Sequence, residues 1–307
     1  MSLESQVSAL VSAASKLTSE IAGKMKGIDN TLSAAQRKFD EFTGKDFPKR
    51  VSEARSIKVF LDTAKGNDEN TGLSASNPVK TYRQVSRVIG GGDTIYDIVE
   101  LTVAGGSAVI LDGALYAKSE IRIVCQDGPV GGVTKLIQGF YGGSAAGRPM
   151  QPFRAPYVEI DDKTNGNVEL HTAEFKDGHT WEEATGKNTA WMCYVGSMLE
   201  NTPRFKLRNV DVKLHDIPLS MVYMGGSMGS FSTYQIIIGA SCDFSVEPAG
   251  GSSASFTNSP RLLYCYDNPK IPLDIIASTL TISGNITSVS QLFGNLNTQN
   301  VRSSFTI

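Results

Sequence analysis

Apolar residues in the first part of the chain fall into a single stripe. Leu3, Val7, Leu10, Ala14, Leu17 and Ile21 are separated by alternating steps of four and three residues, the a/d seam of a coiled coil. The stripe resumes through Met25, Ile28, Leu32, Ala35, Phe39 and Phe42, and the halves meet at two four-residue steps around Ile21. Such a stutter locally unwinds a left-handed supercoil. Ser, Lys, Glu, Gln and Asp fill the intervening positions, so no second apolar face exists. A lone helix this polar does not hold together in water, and its stripe has to be buried against something. A helix of about forty residues spans on the order of 60 Å, too long to fold back neatly on a body of this size. The narrow, regular seam argues for self-association through Leu3, Val7, Leu10, Leu17, Ile21, Ile28 and Leu32. The alternative is an amphipathic helix lying across its own domain. Ala14 and Ala35 leave the number of strands open between dimer and trimer. Beyond Phe42, Gly44 suits a C-cap and Pro48 does not continue a helix. The pattern therefore predicts a stalk over residues 1–50 and a body over residues 51–307.

In the body the period drops to two. Ile57, Val59 and Leu61 share one face of a strand, and the stretch from Lys65 to Ser74 is dense in turn formers. Tyr82, Val85, Val88 and Ile89 then stand at helical spacing, predicting a helix of about ten residues that ends at Gly90-Gly91-Gly92. After Ile89 helical periodicity almost vanishes. Strands are predicted at Thr94–Val103, Ala108–Leu111, Ile121–Cys125, Val133–Ile137, Phe205–Leu207, Val210–Leu214, Tyr234–Ile238, Leu262–Tyr266, Leu273–Ile276 and Leu280–Ile282. Short strands between Gly, Asn and Asp turns make an all-β body. They recur on the scale of about 20 or more residues expected of a β-solenoid, but without a clean repeat. A β-sandwich body stays open as the alternative.

The segment from Tyr141 to Leu199 breaks this rhythm, with a Gly-rich run at 142–147, then Pro149, Pro152 and Pro156, and both tryptophans of the chain. Long excursions from a regular scaffold are where binding sits. Trp181, Glu182, Trp191 and Tyr194 are the candidate receptor contacts, aromatics to stack on sugar faces and a carboxylate to hydrogen-bond hydroxyls. The competing reading has both tryptophans filling the core or an interface.

Composition agrees with a turn-rich β protein: Gly alone accounts for 30 of 307 residues. The 29 basic side chains nearly balance 31 acidic ones, giving a net charge of −2. That balance offers no electrostatic reason to expect nucleic acid or an anionic membrane as partner. No run of about 18 apolar residues is present to insert in a membrane. Met1–Ser5 lacks the basic start of a signal peptide, so a soluble protein made in a cytosol is expected. Cys125, Cys193, Cys242 and Cys265 lie far apart with no C-x-x-C pair, and each reads as a small buried hydrophobe.

Residues 56–92 carry a resemblance. The order is a strand, then Gly66-Asn67-Asp68-x-Asn70-x-Gly72-Leu73-Ser74, then Pro78-Val79-Lys80-Thr81-Tyr82, then an apolar helix and a glycine break. With Val59 and Asp62 in the strand, this resembles the opening of right-handed parallel β-helix proteins, particularly phage tailspikes and tail fibres and polysaccharide lyases. In that family the short helix caps the end of the solenoid, and a coiled coil is what a virion-attached fibre carries. The resemblance implies a mainly β fold: an N-terminal α-helical coiled coil, a capping strand and helix over 56–92, and β-helix rungs over 93–307 in a homotrimer. It implies a tail component of the virion, assembled in the host cytoplasm. The partners would be its own copies, other tail or baseplate proteins, and a host surface glycan or protein.

Candidate chemistry does not rise above this. Glycoside hydrolysis usually needs two carboxyl groups about 5–9.5 Å apart. Asp161-Asp162, Glu182-Glu183 and Asp97/Glu100 are available, but sequence-adjacent carboxylates point to opposite faces of a strand. They read as solvated turn charge. The three histidines, His171, His179 and His215, come with no G-x-S-x-G elbow and no zinc-pair spacing. The glycines at 90–92 match no nucleotide loop, and Asp68-x-Asn70-x-Gly72 reads as an Asx turn lacking a full calcium loop. The expectation is a non-enzymatic receptor-binding fibre with no catalytic residue, metal or cofactor. A tailspike depolymerase and a purely structural fibre segment are the alternatives. About 215 residues after the cap allow about eight to ten rungs of about 20–25 residues, marginal for a deep groove.

Overall fold

The computed structural model describes residues 2–126, 132–140, 149–162, 168–174, 198–200, 202–222, 234–246, 261–265, 272–294 and 301–305. It is mostly β, with parallel sheets and one long N-terminal helix, and it divides into two compact units, Met1–Ala54 and Arg55–Ile307.

The first unit is helical throughout. α1 (Leu3–Glu41) is capped by Ser2, whose side chain accepts from the Ser5 N–H, and it buries none of its residues. Leu3, Val7, Leu10, Leu17, Ile21, Ile28 and Leu32 are all exposed. The helix does not stop at Gly44 as its sequence predicts. A π-helical segment (Phe42–Asp46) leads into α2 (Phe47–Ala54), so Pro48 lies inside the helical stretch. The physical reason is the wider turn. Phe47 donates its N–H to the Phe42 carbonyl, five residues back, just where Pro48 would interrupt an i→i−4 ladder.

The second unit opens with β1 (Ser56–Leu61) and α3 (Tyr82–Val88). α3 has seven residues where about ten were expected from spacing, because Gly90 takes a left-handed conformation (φ 85°) and a 3₁₀ turn at Gly91–Asp93 follows. Thr81 caps it by accepting from the Gln84 N–H. Asp68 braces that cap, accepting from Lys80 N at 2.9 Å, Thr81 N at 2.8 Å and Thr81 Oγ1 at 2.8 Å. Burial pushes the Asp68 carboxyl up, but these hydrogen bonds outweigh it and hold it below its ordinary range. The turn reading of Asp68-x-Asn70-x-Gly72 thus has its explanation in hydrogen bonds to the backbone. Gly66 sits tightest: a Cβ there would lie 2.3 Å from the Val79 carbonyl oxygen and 2.4 Å from that of Asp62. Gly66→Ala is therefore expected to lower stability by about 1–3 kcal/mol, measured as a shifted urea midpoint with an unchanged slope.

Strands then follow in threes. The first set is β2 (Ile98–Val103), β3 (Ala108–Leu111) and β4 (Leu115–Tyr116); the next is β5 (Glu120–Cys125), β6 (Thr134–Gln138) and β7 (Phe153–Arg154). β8 (Tyr157–Asp162), β9 (Val168–His171) and β10 (Leu199–Glu200) precede β11 (Arg204–Arg208), β12 (Asp211–Leu214) and β13 (Ser220–Val222). β14 (Tyr234–Ile238), β15 (Asp243–Val246) and β16 (Leu263–Cys265) lead to β17 (Leu273–Ala277), β18 (Thr281–Gly284), β19 (Phe293–Gly294) and β20 (Val301–Ser303). β1 pairs in parallel with β2; from β2 on, strands pair in parallel with the one three places on, except that among the described residues β7 and β10 are not paired. Among the described residues the first sheet runs β1-β2-β5-β8-β11-β14-β17-β20, the second β3-β6-β9-β12-β15-β18, and the third β10-β13-β16-β19, with β4 beside β7.

Inward side chains stack in register through these sheets. Val59, Leu101, Ile123, Ile160, Leu207 and Ile238 form one column; Val99, Ile121, Val158, Phe205, Ile236 and Ile275 form the next. Val109, Leu136, Leu170, Val212 and Phe244 line up on the second sheet. α3 buries Tyr82 and Val85, and Ile89 follows at its C-cap, in the same core as Val59 and Leu61. The Tyr82 hydroxyl donates to the Pro152 carbonyl at 2.8 Å, which settles the one polar atom of that ring.

Three expectations need correcting. Tyr141–Leu199 is not one irregular excursion, since β7, β8 and β9 lie within it. Asp161 and Asp162 are not turn charges: both end β8, at 7% and 0% exposure. Asp161 survives there because Arg208 on the adjacent strand grips both its oxygens. Strand β2 starts at Ile98 rather than at Thr94, after the 3₁₀ turn. Cys125 and Cys242 are buried free thiols, and burial pushes both above the ordinary range.

Candidate functional site

The sequence-predicted receptor contacts Trp181, Glu182, Trp191 and Tyr194 lie outside the described residues, as do His179, Glu183 and Cys193. The candidate site is built instead from the two outer sheet faces, where parallel register brings distant polar side chains together.

On the first sheet, charges alternate from strand to strand. Lys58 meets Glu100 at 2.6 Å, Glu159 meets Lys206 at 2.7 Å, and Asp274 meets Arg302 at 2.7 Å. Arg122 takes both oxygens of Glu120, and the Arg204 guanidinium lies 4.9 Å above the Tyr157 ring. Tyr157 is pushed up to about 12 by burial and by the Glu159 charge. These carboxylates are committed to cations on the same face. Opposite charges directly across parallel strands fix register, and they leave no carboxyl free for proton transfer.

The second sheet differs. Its outer face aligns Lys135, Glu169, Asp211 and Asp243 in one row and His171 and Lys213 in the next. Lys135 Nζ and His171 Nε2 both reach Glu169 Oε2, at 3.2 and 2.9 Å. His171 Nδ1 lies 3.1 Å from His215 Nε2, with the ring centroids 5.4 Å apart and the planes 15° apart. One of those two nitrogens must carry the shared proton. The His215 backbone N–H donates to Thr172 Oγ1 at 2.8 Å, which ties the main chain that carries the second imidazole to the end of β9. Asp243 accepts from Ser283 Oγ at 2.5 Å through Oδ2, while its Oδ1 is buried without a hydrogen-bond partner.

Glu169, Asp211 and Asp243 stand on neighbouring strands, whose backbones run about 4.8 Å apart, so their like charges repel. Burial raises Asp211 above the ordinary carboxylate range; the Asp243 backbone hydrogen bond and Lys213 oppose this, and the charges of Asp243 and Glu169 add to it. Glu169 goes the other way: burial pushes it up, but hydrogen bonds from His171 and Lys135 outweigh that and hold it low. Neighbouring carboxyls of this row are thus shifted in opposite directions by their surroundings. Among the described residues no group of three or more His, Cys, Asp or Glu side chains is arranged to hold a metal ion.

Linkage gives the row a measurable signature. An acid whose folded pKa is raised carries an unfavourable charge above that pKa, and the cost disappears as pH falls to the unfolded value near about 3.9. Asp211→Asn is expected to stabilise the fold at about pH 7 and to make no difference near about pH 3, read by urea unfolding at both. Glu169 has the opposite sign, since its depressed pKa stabilises at neutral pH and that stability is lost as pH falls through the folded value.

Sequence reasoning did not bring His171 to His215, 44 positions away. The signal was the Glu-x-His motif at 169–171 recurring as Asp-x-Lys at 211–213, both on alternating apolar strands. Among the described residues no helix is long and apolar enough to cross a membrane. No protein-family model and no curated protein matches this chain.

Proposed function

We propose that this chain is a homotrimeric bacteriophage tail fibre whose helical N-terminus forms a coiled coil and whose β-solenoid body attaches the virion to a host surface glycan or protein. The observation that carries the reading is the parallel pairing of body strands three places apart from β2 on, broken among the described residues only between β7 and β10, joined in one chain to an apolar helical seam that buries nothing of its own. Strands that climb in threes, with parallel register and interior columns, support a solenoid over a sandwich, whose sheets are antiparallel. A polar outer surface presented in three copies gains avidity on a repetitive glycan. Other tail or baseplate proteins would hold the opposite end.

The test uses the labelled full-length protein on a panel of encapsulated and unencapsulated bacteria. Saturable adsorption to some strains, competed by their purified surface polysaccharide or lost on protease treatment of the cells, is the expected result. Absence of adsorption to every strain that the parent phage infects would overturn it in favour of a purely structural fibre segment.

A second reading has its own observation. The Glu169–Asp211–Asp243 row, in which Glu169 and Asp211 are shifted in opposite directions, favours a tailspike depolymerase acting on surface polysaccharide. Release of reducing ends or unsaturated sugars from that polysaccharide, abolished in Asp211→Asn, distinguishes cleavage from binding alone.

A further inference from the structure

The helical unit holds a feature that its heptads do not explain. Phe39 and Phe42 belong to the seam, but the next apolar residue is Phe47, five positions beyond Phe42, where a seam of threes and fours has no place for it. In an unbroken α-helix that spacing would rotate Phe47 and Val51 away from the stripe. The π-helical segment at Phe42–Asp46 removes this misfit, because a π-bulge absorbs one extra residue within a turn. Its bonding is explicit: Phe47 N–H donates to Phe42 O, and Thr43 Oγ1 donates back to the Phe39 and Asp40 carbonyls at 2.8 and 3.3 Å. The result is visible in the rings, since Phe42 and Phe47 lie 5.8 Å apart with planes inclined at 50°. Phe47 and Val51 remain 53% and 40% exposed, so the helical unit does not bury them by itself.

We infer that the π-bulge carries the self-association seam past Gly44, so that Phe42, Phe47 and Val51 form an aromatic clasp between parallel copies of this chain. The inference rests on the self-association proposed above and extends the interface to the end of the helical unit. Two observations commit the occupant to further copies of the same chain. The stripe runs in steps of three and four from Leu3 to Phe42, broken only by the stutter at Ile21, and a parallel copy matches it in register, stutter included. Beside it, Lys24 precedes the seam residue Met25 and Asp29 follows Ile28, the g and e positions that face each other between parallel copies. Their charges are opposite, and no other such pair in α1 sets like charges against each other.

The test compares four full-length variants with the parent by sedimentation equilibrium, with far-ultraviolet circular dichroism confirming the fold. Phe47→Asp combined with Val51→Asp, and insertion of one alanine after Gly44, are both expected to weaken self-association by at least about tenfold. Deletion of Gly44 restores a four-residue step between the two phenylalanines and is expected to preserve association. Phe47→Ala, the mildest change, is expected to fall between. Parent-like association of both the insertion and the double aspartate variant would overturn the clasp while leaving the seam of α1 intact. A monomeric parent would instead remove the self-association on which the clasp rests, and neither result bears on host binding.

Discussion

Replacing Ile21 and Ile28 together by aspartate is expected to turn an associating chain into a monomer of 32.9 kDa. Ile21 sits between the two four-residue steps of the seam and Ile28 lies three residues beyond them, and they are 49% and 65% exposed in the single chain. Neither contributes to the body, whose core begins at Val59, so its melting transition should persist. In parallel copies the introduced carboxylates would face one another across the seam, desolvated and of like charge, which coiled coils do not tolerate. Light scattering of parent and variant over a concentration series checks the mass. A variant that stays associated would move the contact to the β body. A parent that is already monomeric would leave the stripe of α1 without an occupant.

Phe205→Ala is the other large effect, at a cost of about 3–5 kcal/mol. The ring is fully buried in the column between Val158 and Ile236, so its removal leaves a void that rigid strands on both sides cannot close. It also stands edge-on to Tyr234, with ring centroids 6.4 Å apart at 73°, and Tyr234 in turn bonds the buried Ser220 hydroxyl. The loss therefore reaches from the first sheet to the third. A drop in the urea midpoint of that size, with helical signal retained, is the expected measurement. A shift under about 1 kcal/mol would mean that the columns repack far more freely than close-packed interiors do.

Much of this fold was legible in the pattern of apolar positions. The long N-terminal helix, β1, the capped α3 and most later strands stand where periodicity puts them, because period and turn residues are local properties. What stayed hidden was the spacing between register partners. Leu101 to Ile123 is 22 residues but Ile160 to Leu207 is 47, so no repeat of fixed length exists to be found. β8 escaped because Tyr157-Val158-Glu159-Ile160 follows Pro149, Pro152 and Pro156, which mark irregular chain. The Asp161-Asp162 pair looked like a turn because nothing local announces Arg208, 47 positions on. The Glu169–His171–His215 contacts were illegible for the same reason: they exist only once β9 lies beside β12. The π-bulge was misread because Gly44 and Pro48 are stop signals for an α-helix, and a wider turn is the one geometry that admits them.

Because strands from β2 on pair with strands three places away along the chain, with the β7–β10 step the exception among the described residues, each newly made segment needs just the segment before it. Val85 and Ile89 close one end of the core, with Leu61 paired to Val79 there, so growth has a single open direction. Such a body suits synthesis from the ribosome, where the amino-terminal portion is already folded when the next strand emerges and offers it one edge. Released whole from denaturant, the same chain meets many edges of nearly identical chemistry at once, and wrong register becomes the competitor to assembly. The order of manufacture thus carries information that the finished contacts alone do not hold.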